Sequence, residues 1–345
     1  MSTSSFSALP RLWAGALAFL GASTLTQDYW GYSRQWHGDP QRWTRVLDGH
    51  ADAPVQYRLG VVWLAEWMRR TLHTPERYAF TLIDAVALTL VFALIVATLR
   101  RSDAWHTARR ERRSLCWAAA LLTVALCAYW LPSLVPFQKP ETLPSAALLA
   151  LGLLSFFHLD NAVARTTAVL LLSVALALMR ADIGLSLSLG VAAGMLLQRP
   201  SRWRATLVLA LAAAALIVAI EFYLIRVKYP HASYGGVPVF QLLLNFRFAH
   251  RLWDFSLFMG PAVALTLWQW KPLARRTAEE ACALLAAALY LFMVFCLGRV
   301  EETRLLLPYA LLLTPWFAAH ALEHWPRRGA RRQQDTGTEH VLAIR

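Results

Sequence analysis

Asp28 is the acidic residue best placed for chemistry near the start of the chain. It directly follows the first long apolar run, in the sequence TLTQDYW. A carboxylate at the boundary of an apolar layer can accept a proton from a substrate hydroxyl, and burial raises the pKa of a carboxyl group toward the range that suits a general base. The structural alternative is an aspartate that merely ends a helix. We take Asp28 as the candidate catalytic base.

Arginines near the ends of other apolar runs are candidates for anion binding. They are Arg58 in PVQYRLG, Arg180 in MRADIG and Arg304 in EETRLLLP, with Asp182 and Glu301 close by in sequence. A guanidinium group can hold a phosphate through two parallel hydrogen bonds. Charges so close to an apolar layer are costly and usually face a polar cavity. We predict a substrate-binding role for all five residues; the alternative is that the arginines snorkel or pair with neighbouring acids.

Three further acids lie next to or inside apolar runs. Glu141, in QKPETLP, is a candidate substrate contact, although Pro140 and Glu141 are also typical of a helix start. Asp84 and Glu221 lie within apolar runs that hold no cationic partner of their own. A proton or ion pathway is one interpretation of these two residues. An internal, hydrogen-bonded acid is the other.

Metal and cofactor motifs are weak or absent. The four cysteines lie inside apolar runs without a CxxC pair, which indicates neither a disulfide framework nor a thiolate metal site. His320, Glu323 and His324 match the H-x-x-E-H pattern, but no distant third ligand suggests itself and a helix end is the better interpretation. There is no Walker loop, no GxGxxG and no GxSxG in the sequence. We therefore predict no metal and no cofactor.

The overall composition indicates the kind of protein in which these residues lie. The chain has 345 residues, of which 57% are hydrophobic and 16% charged. Soluble domains have about 45–50% apolar and about 25% charged residues, so the composition excludes a soluble globular enzyme and a disordered chain. The formal net charge is +13. Because the arginines cluster in short segments between apolar runs, this charge indicates membrane topology rather than nucleic-acid binding.

Hydropathy predicts an all-α polytopic membrane bundle with about ten spans, since a spanning helix needs about 20 mainly apolar residues. The predicted spans are 9–27, 79–99, 115–135, 143–158, 164–180, 182–198, 205–225, 252–270, 281–298 and 305–324. The apolar segment 59–68 is too short to cross, and a crossing there would move the arginine-rich loop 100–114 outside. We predict that it is an interfacial helix with Trp63 and Trp67 at headgroup level.

These spans imply one membrane domain over residues 1–325 and a basic tail over 326–345. The tail is expected to be disordered. The arginine-rich loops and the tail all fall on one side, which should be the cytoplasm, as should both termini. The loops 28–78 and 226–251 then face the outside, together with Glu141, Arg180, Asp182 and Arg304.

This layout resembles the GT-C-type glycosyltransferases, which are membrane enzymes that use polyprenyl-phosphate sugars. The resemblance rests on an acid after the first helix, a long outer loop with an interfacial helix, short outer turns with arginine, and the segments PVQYRLGVVWL and EETRLLLPYALLLTPW. It implies a bacterial inner-membrane enzyme of cell-envelope glycan assembly, with Asp28 as base and Arg58, Arg180 and Arg304 as phosphate contacts. A two-acid metal motif is lacking, because Asp28 has no adjacent second acid.

A non-enzymatic membrane protein is the alternative function. A lipid-linked sugar flippase, a small-solute transporter or a subunit of an envelope complex would fit the arginines and the amphipathic loop nearly as well. In a coupled transporter Asp84 and Glu221 would matter more than Asp28. Both interpretations predict membrane lipid and a polyprenyl-phosphate-linked sugar or a small solute as partners.

Overall fold

The fold is built from helices. The computed structural model describes residues 3–111, 113–134, 139–232, 240–268, 271–300 and 302–323, and these contain thirteen helices and no strand. The predicted all-helical fold is confirmed. In chain order the helices are α1 (Thr3–Gly38), α2 (Arg42–Leu47), α3 (Leu59–Leu72), α4 (Glu76–Arg101), α5 (Asp103–Glu111), α6 (Arg113–Trp130), α7 (Thr142–His158), α8 (Ala162–Gln198), α9 (Trp203–Tyr223), α10 (Leu242–Arg247), α11 (Ala249–Trp268), α12 (Ala278–Leu297) and α13 (307–323).

Five helical segments are long and apolar enough to cross a membrane, which is compatible with a multi-pass membrane protein. They are Glu76–Arg101, Ser114–Leu134, Ala162–Gln198, Trp203–Lys228 and Ala278–Leu297. The ten predicted spans fall on helical segments, two of them on α8 and one on only part of α1, but the count of ten is not confirmed. One reason is length, because α7 has 17 residues. Another is composition, since α1 and α11 are long enough but too polar.

The longest helical segment, α8, turns back on itself at Arg180. The backbone angles of Arg180 (φ −153°, ψ 80°) are not helical. A Cβ atom built on Gly184 would lie 3.0 Å from the Cβ of Leu176, whereas eight residues of continuous helix span about 12 Å. The segments before and after Arg180 therefore pack against each other as a tight helical hairpin.

Close backbone contacts place the hairpin at the centre of the bundle. A Cβ atom on Gly190 would lie 2.4 Å from the Cα of Ala286, and one on Gly194 would lie 2.2 Å from the Sγ of Cys282. Both glycines therefore let α12 approach α8 more closely than any side chain would allow. On the other side, α7 and α9 also pack against α8.

Helix α3 lies beside the turn at Arg180. Its apolar face, with Leu59, Val62 and Ala65, is buried, while Trp63 and Trp67 on the opposite face are exposed. A Cβ atom on Gly60 would lie 2.9 Å from the Cγ of Met179, so the start of α3 contacts the hairpin directly. The segment 59–68 is thus an amphipathic helix, as predicted; its position at a membrane interface is not confirmed.

The first predicted outer loop, 28–78, is mostly helical. Helix α1 runs on to Gly38, so Asp28 lies inside a helix and not at its end. Packing explains the difference, because the buried ring of Tyr32 lies 5.4 Å from that of Phe80 in α4 and extends the contact between the two helices. In the second predicted loop, 226–251, α9 continues as a π-helical turn, Leu224–Lys228, and α10 follows at Leu242. The predicted tail lies outside the described residues.

Candidate functional site

Charged and hydroxyl side chains from distant parts of the chain meet at one end of the bundle. They come from the second half of α1, the N-cap of α3, the first half of α4, the segment before α7, the turn in α8, the second half of α12, and the segment between α12 and α13. We call this group the charge cluster: Asp28, Tyr32, Arg58, Asp84, Lys139, Glu141, Arg180, Asp182, Tyr290, Glu302 and Arg304.

Glu141 is the residue around which the cluster is organised. Its carboxylate accepts a hydrogen bond from Arg58 Nη1 at 2.5 Å, and the glutamate is 5% exposed. Burial opposes the ionisation of this carboxyl group, but Arg58, Lys139 and Arg180 together hold the pKa of Glu141 below its usual range. Glu141 is therefore a carboxylate that joins the start of α3 to the start of α7.

Arg180 is buried and bonded to protein groups through its Nε and Nη2 atoms. Its Nε donates to Asp182 Oδ1 at 2.9 Å and its Nη2 donates to Asp182 Oδ2 at 2.5 Å. Nη2 also donates to Tyr290 Oη at 2.5 Å, and Tyr290 in turn donates to the carbonyl oxygen of Leu305 at 2.7 Å. These contacts connect the turn in α8 to α12 and to the segment before α13.

Asp28 and Asp84 form the buried acidic side of the cluster. Each is 2% exposed, and the two carboxyl groups interact electrostatically. Tyr32, one helical turn beyond Asp28, donates its hydroxyl hydrogen to Asp84 Oδ2 at 2.6 Å. Glu141 also interacts with Asp84 and Tyr32, so the acidic side is continuous with the Arg58–Glu141 pair.

Lys139 is the centre of a group of cations. It interacts electrostatically with Arg42, Arg58 and Arg304 as well as with Glu141, and burial lowers its pKa to about 8. Arg58 is paired with Glu141, and Arg304 with Glu302. Among the described residues, no carboxylate lies within ion-pair distance of Lys139 or Arg42. Lys139, Arg42, Arg58 and Arg304 thus bring four cations together, with Glu141 and Glu302 as directly paired carboxylates.

The structure brings most of the predicted site residues together. Asp28, Arg58, Glu141, Arg180, Asp182 and Arg304 all belong to the charge cluster, whereas Glu301 lies outside the described residues. The cluster also involves the two acids that lie within apolar runs, Asp84 and Glu221. Asp84 belongs to the cluster, and Glu221 interacts electrostatically with Asp182 and Arg58, because the second half of α9 packs against the turn at Arg180.

Sequence reasoning missed Tyr32, Lys139, Tyr290 and Arg42. The position of Tyr32 could have been predicted, because Tyr32 is four residues after Asp28 and so lies on the same helix face. The positions of Lys139 and Tyr290 depend on contacts between distant segments. Nothing local distinguishes Arg42 from the other arginines of the chain.

The H-x-x-E-H pattern at residues 320–324, for which a helix end was the preferred interpretation, takes part in ion pairs. His320 Nε2 lies 2.6 Å from Glu280 Oε1, and Arg276 donates to the same carboxylate. The second histidine of the pattern, His324, lies outside the described residues. Within the described ranges, no three His, Cys, Asp or Glu side chains are grouped so that they could hold a metal ion.

Two cavities lie elsewhere in the described part of the chain. One is an apolar groove between α4, α7 and α13, and the other is a polar cavity between α2, α3 and α4. Neither is lined by a member of the charge cluster. The side chains of the charge cluster instead contact one another. Arg58, whose side chain is 22% exposed, is the most accessible guanidinium group of the cluster.

The chain was compared with protein-family models, curated proteins and solved structures. No family model, no curated protein and no solved structure matches it.

Proposed function

We propose that this chain is an integral membrane glycosyltransferase that takes its sugar from a polyprenyl-phosphate donor in cell-envelope glycan assembly. The observation that carries the proposal is the position of Lys139 among Arg42, Arg58 and Arg304, with Glu141 interacting both with Lys139 and with the buried carboxyl group of Asp84. A group of cations suits a phosphate leaving group. A buried carboxylate on the acidic side of the same cluster suits a base for the incoming hydroxyl.

The proposed reaction is a displacement at the anomeric carbon of the donor sugar. The acceptor hydroxyl oxygen attacks this carbon, its proton passes to Asp28, and the bond between the anomeric carbon and the phosphate oxygen breaks. The released polyprenyl phosphate keeps the electron pair of that bond. Lys139, Arg42, Arg58 and Arg304 stabilise its growing negative charge. Because Nε and Nη2 of Arg180 are engaged with Asp182 and Tyr290, we assign Arg180 the support of the site and not phosphate contact.

We further propose ten membrane crossings in a bacterial inner membrane, with α3 at the outer interface and both termini in the cytoplasm. The tight turn at Arg180 supports two crossings within α8. Two contacts lie at the end of the bundle away from the charge cluster. His158 of α7 contacts Glu279 of α12, and Gln198 of α8 contacts Leu273 in the segment before α12. The neighbouring arginine-rich segments favour the cytoplasm for that end.

A reporter fused to the carboxyl terminus tests this topology. With ten crossings, a fluorescent protein at that position should mature and fluoresce, and alkaline phosphatase should be inactive, because both would lie in the cytoplasm. Fusions within the segment 233–239, expected outside, should give the reverse result. Active phosphatase at the carboxyl terminus would overturn the ten-span arrangement.

The pH dependence of donor use tests the cation group. Since Lys139 has a pKa of about 8, it is protonated below that pH and loses its charge above it. In vesicles that contain the protein and a polyprenyl-phosphate sugar, donor affinity should fall as the pH rises through about 8. Lys139→Arg should flatten this fall, because a guanidinium group stays charged across the range.

Lys271→Arg provides the matched control for this experiment. Lys271 lies at the opposite end of the bundle, near Glu323, so its replacement should leave the pH profile unchanged. The same profile in wild type and Lys139→Arg would remove Lys139 from donor binding.

A proton-coupled carrier of a solute or a lipid-linked sugar is the second candidate function. It is favoured by Asp84, which is buried inside α4 with Tyr32 bound to Oδ2 and with no hydrogen-bond partner for Oδ1 among the described residues. Such a carboxyl group suits proton binding and release. A carrier should move its cargo across vesicles under a pH gradient and lose that movement in Asp84→Asn.

A further inference from the structure

The polar cavity between α2, α3 and α4 has the volume of a small-molecule site. It measures about 400 Å³, and ligand pockets have volumes of about 300–1,000 Å³. Its apolar wall includes Trp43 and Phe80, whose ring centroids lie 5.1 Å apart. Its polar lining comes from Thr44 and Asp48 of α2, Glu66, Arg69 and Arg70 of α3, and Glu76 of α4.

The hydrogen-bonding groups of this lining are only partly used. Glu66 accepts from Arg69 Nε and Nη2 and from Arg70 Nε. The hydrogen bond from Arg69 is the main reason why the pKa of Glu66 is lowered to about 2, and Arg70 contributes as well. This carboxylate therefore stays ionised. Asp48 and Glu76 form no ion pair with any described residue, and the Nη1 atoms of Arg69 and Arg70 form no hydrogen bond within the described ranges. The cavity thus offers both donors and acceptors to a ligand.

The mixture of charges excludes several classes of ligand. Asp48 and Glu66 balance the two guanidinium groups, and Glu76, whose pKa burial raises to about 7, adds further negative charge as the pH rises, so a phosphate or another anion is disfavoured. The two guanidinium groups disfavour a simple ammonium ligand. An apolar ligand would displace water from the carboxyl groups of Asp48 and Glu76 without replacing its hydrogen bonds, which is costly. What remains is a neutral ligand with many hydroxyl groups, each of which donates and accepts, and with an apolar face for the wall of Trp43 and Phe80.

We infer that this cavity binds the ring of a neutral saccharide. Its position connects it to the charge cluster, because Arg42 of the cation group is the residue before Trp43, and Phe80 lies one helical turn before Asp84 on α4. Binding of a saccharide does not require the proposed transfer reaction. The role of this cavity as the acceptor site of the transfer reaction, in contrast, rests on the proposed function.

Cysteine protection tests the inference on the full-length protein in detergent. Three native cysteines are buried and Cys296 is partly buried, so Thr44→Cys introduces an accessible thiol in the cavity lining. Its labelling by a maleimide should be slowed by glucose, galactose, mannose, N-acetylglucosamine or rhamnose. At ten times the dissociation constant of a bound sugar the rate should fall about tenfold, because only unoccupied protein reacts. Adding Asp48→Asn and Glu76→Gln should weaken this protection.

Ser201→Cys is the matched control, since residue 201 is exposed at the opposite end of the bundle. Its labelling should not respond to sugars. Three results would overturn the inference: no sugar protects Thr44→Cys, sugars slow both cysteines equally, or only inorganic phosphate or lysine protects. If a sugar protects Thr44→Cys but Asp28→Asn leaves glycans unchanged, the saccharide site stands and the transfer reaction falls. If no sugar protects Thr44→Cys but Asp28→Asn abolishes transfer, the transfer reaction stands and the saccharide site is overturned.

Discussion

Asp28→Asn should abolish sugar transfer while leaving the protein folded. An asparagine has nearly the same shape as an aspartate but cannot take the proton of the acceptor hydroxyl, and loss of a general base costs about 100- to 10,000-fold in rate. The transfer of labelled sugar from a polyprenyl-phosphate donor in vesicles should fall by this factor. In a host cell the surface glycan profile should change, with the amount of the protein in the membrane preserved.

Asp84→Asn is the matched control for this experiment. Asp84 is as deeply buried as Asp28, at 2% exposed, and lies on the same acidic side of the cluster. The amide oxygen of asparagine can still accept the hydrogen bond from Tyr32, so this variant should keep most of the transfer rate. An unchanged glycan in Asp28→Asn would remove Asp28 from the mechanism. Loss of function in Asp84→Asn alone would favour the proton-coupled carrier.

The helices could be predicted because their signal is local. Each long apolar run between arginine-rich segments became a helix, and the short turn between residues 164–180 and 182–198 was visible from Arg180 and Asp182. The end of α1 could not be predicted in this way. Residues after Asp28 are polar and aromatic, and contacts with the distant helix α4, such as that of Tyr32 with Phe80, accompany the extension of α1 to Gly38.

The candidate site was only partly predictable because its pairs join distant segments. Alternation of the predicted spans was enough to place Asp28, Arg58, Glu141, Arg180 and Arg304 at the same end. It did not show that Arg58 and Glu141, which are 83 residues apart, form an ion pair. Glu141 had been interpreted as typical of a helix start, and it does occupy the N-cap position of α7. Its side chain caps no backbone N–H there and binds Arg58 instead.

Arg180→Met should destabilise the whole bundle. The guanidinium group, in a residue only 2% exposed, bonds both carboxylate oxygens of Asp182 and the hydroxyl of Tyr290. Methionine fills a similar volume but leaves Asp182 without its cation, and breaking a buried ion pair costs about 3–5 kcal/mol. We expect the lower end of this range, because the side chain of Asp182 is 35% exposed. Unfolding of the purified protein in detergent measures the loss.

The exposed ion pair of Arg45 and Asp39 is the control for this experiment. It tests whether the loss of stability in Arg180→Met comes from the burial of the ion pair. The side chains of Arg45 and Asp39 are 45% and 41% exposed, and exposed ion pairs contribute about 0–1 kcal/mol, so Arg45→Met should barely change stability. Adding Asp182→Asn to Arg180→Met should recover part of the loss, since the isolated carboxylate is then gone. Equal effects of Arg180→Met and Arg45→Met would mean that the turn in α8 is held by apolar packing alone. In that case Arg180 would be available for the phosphate contact that the sequence suggested.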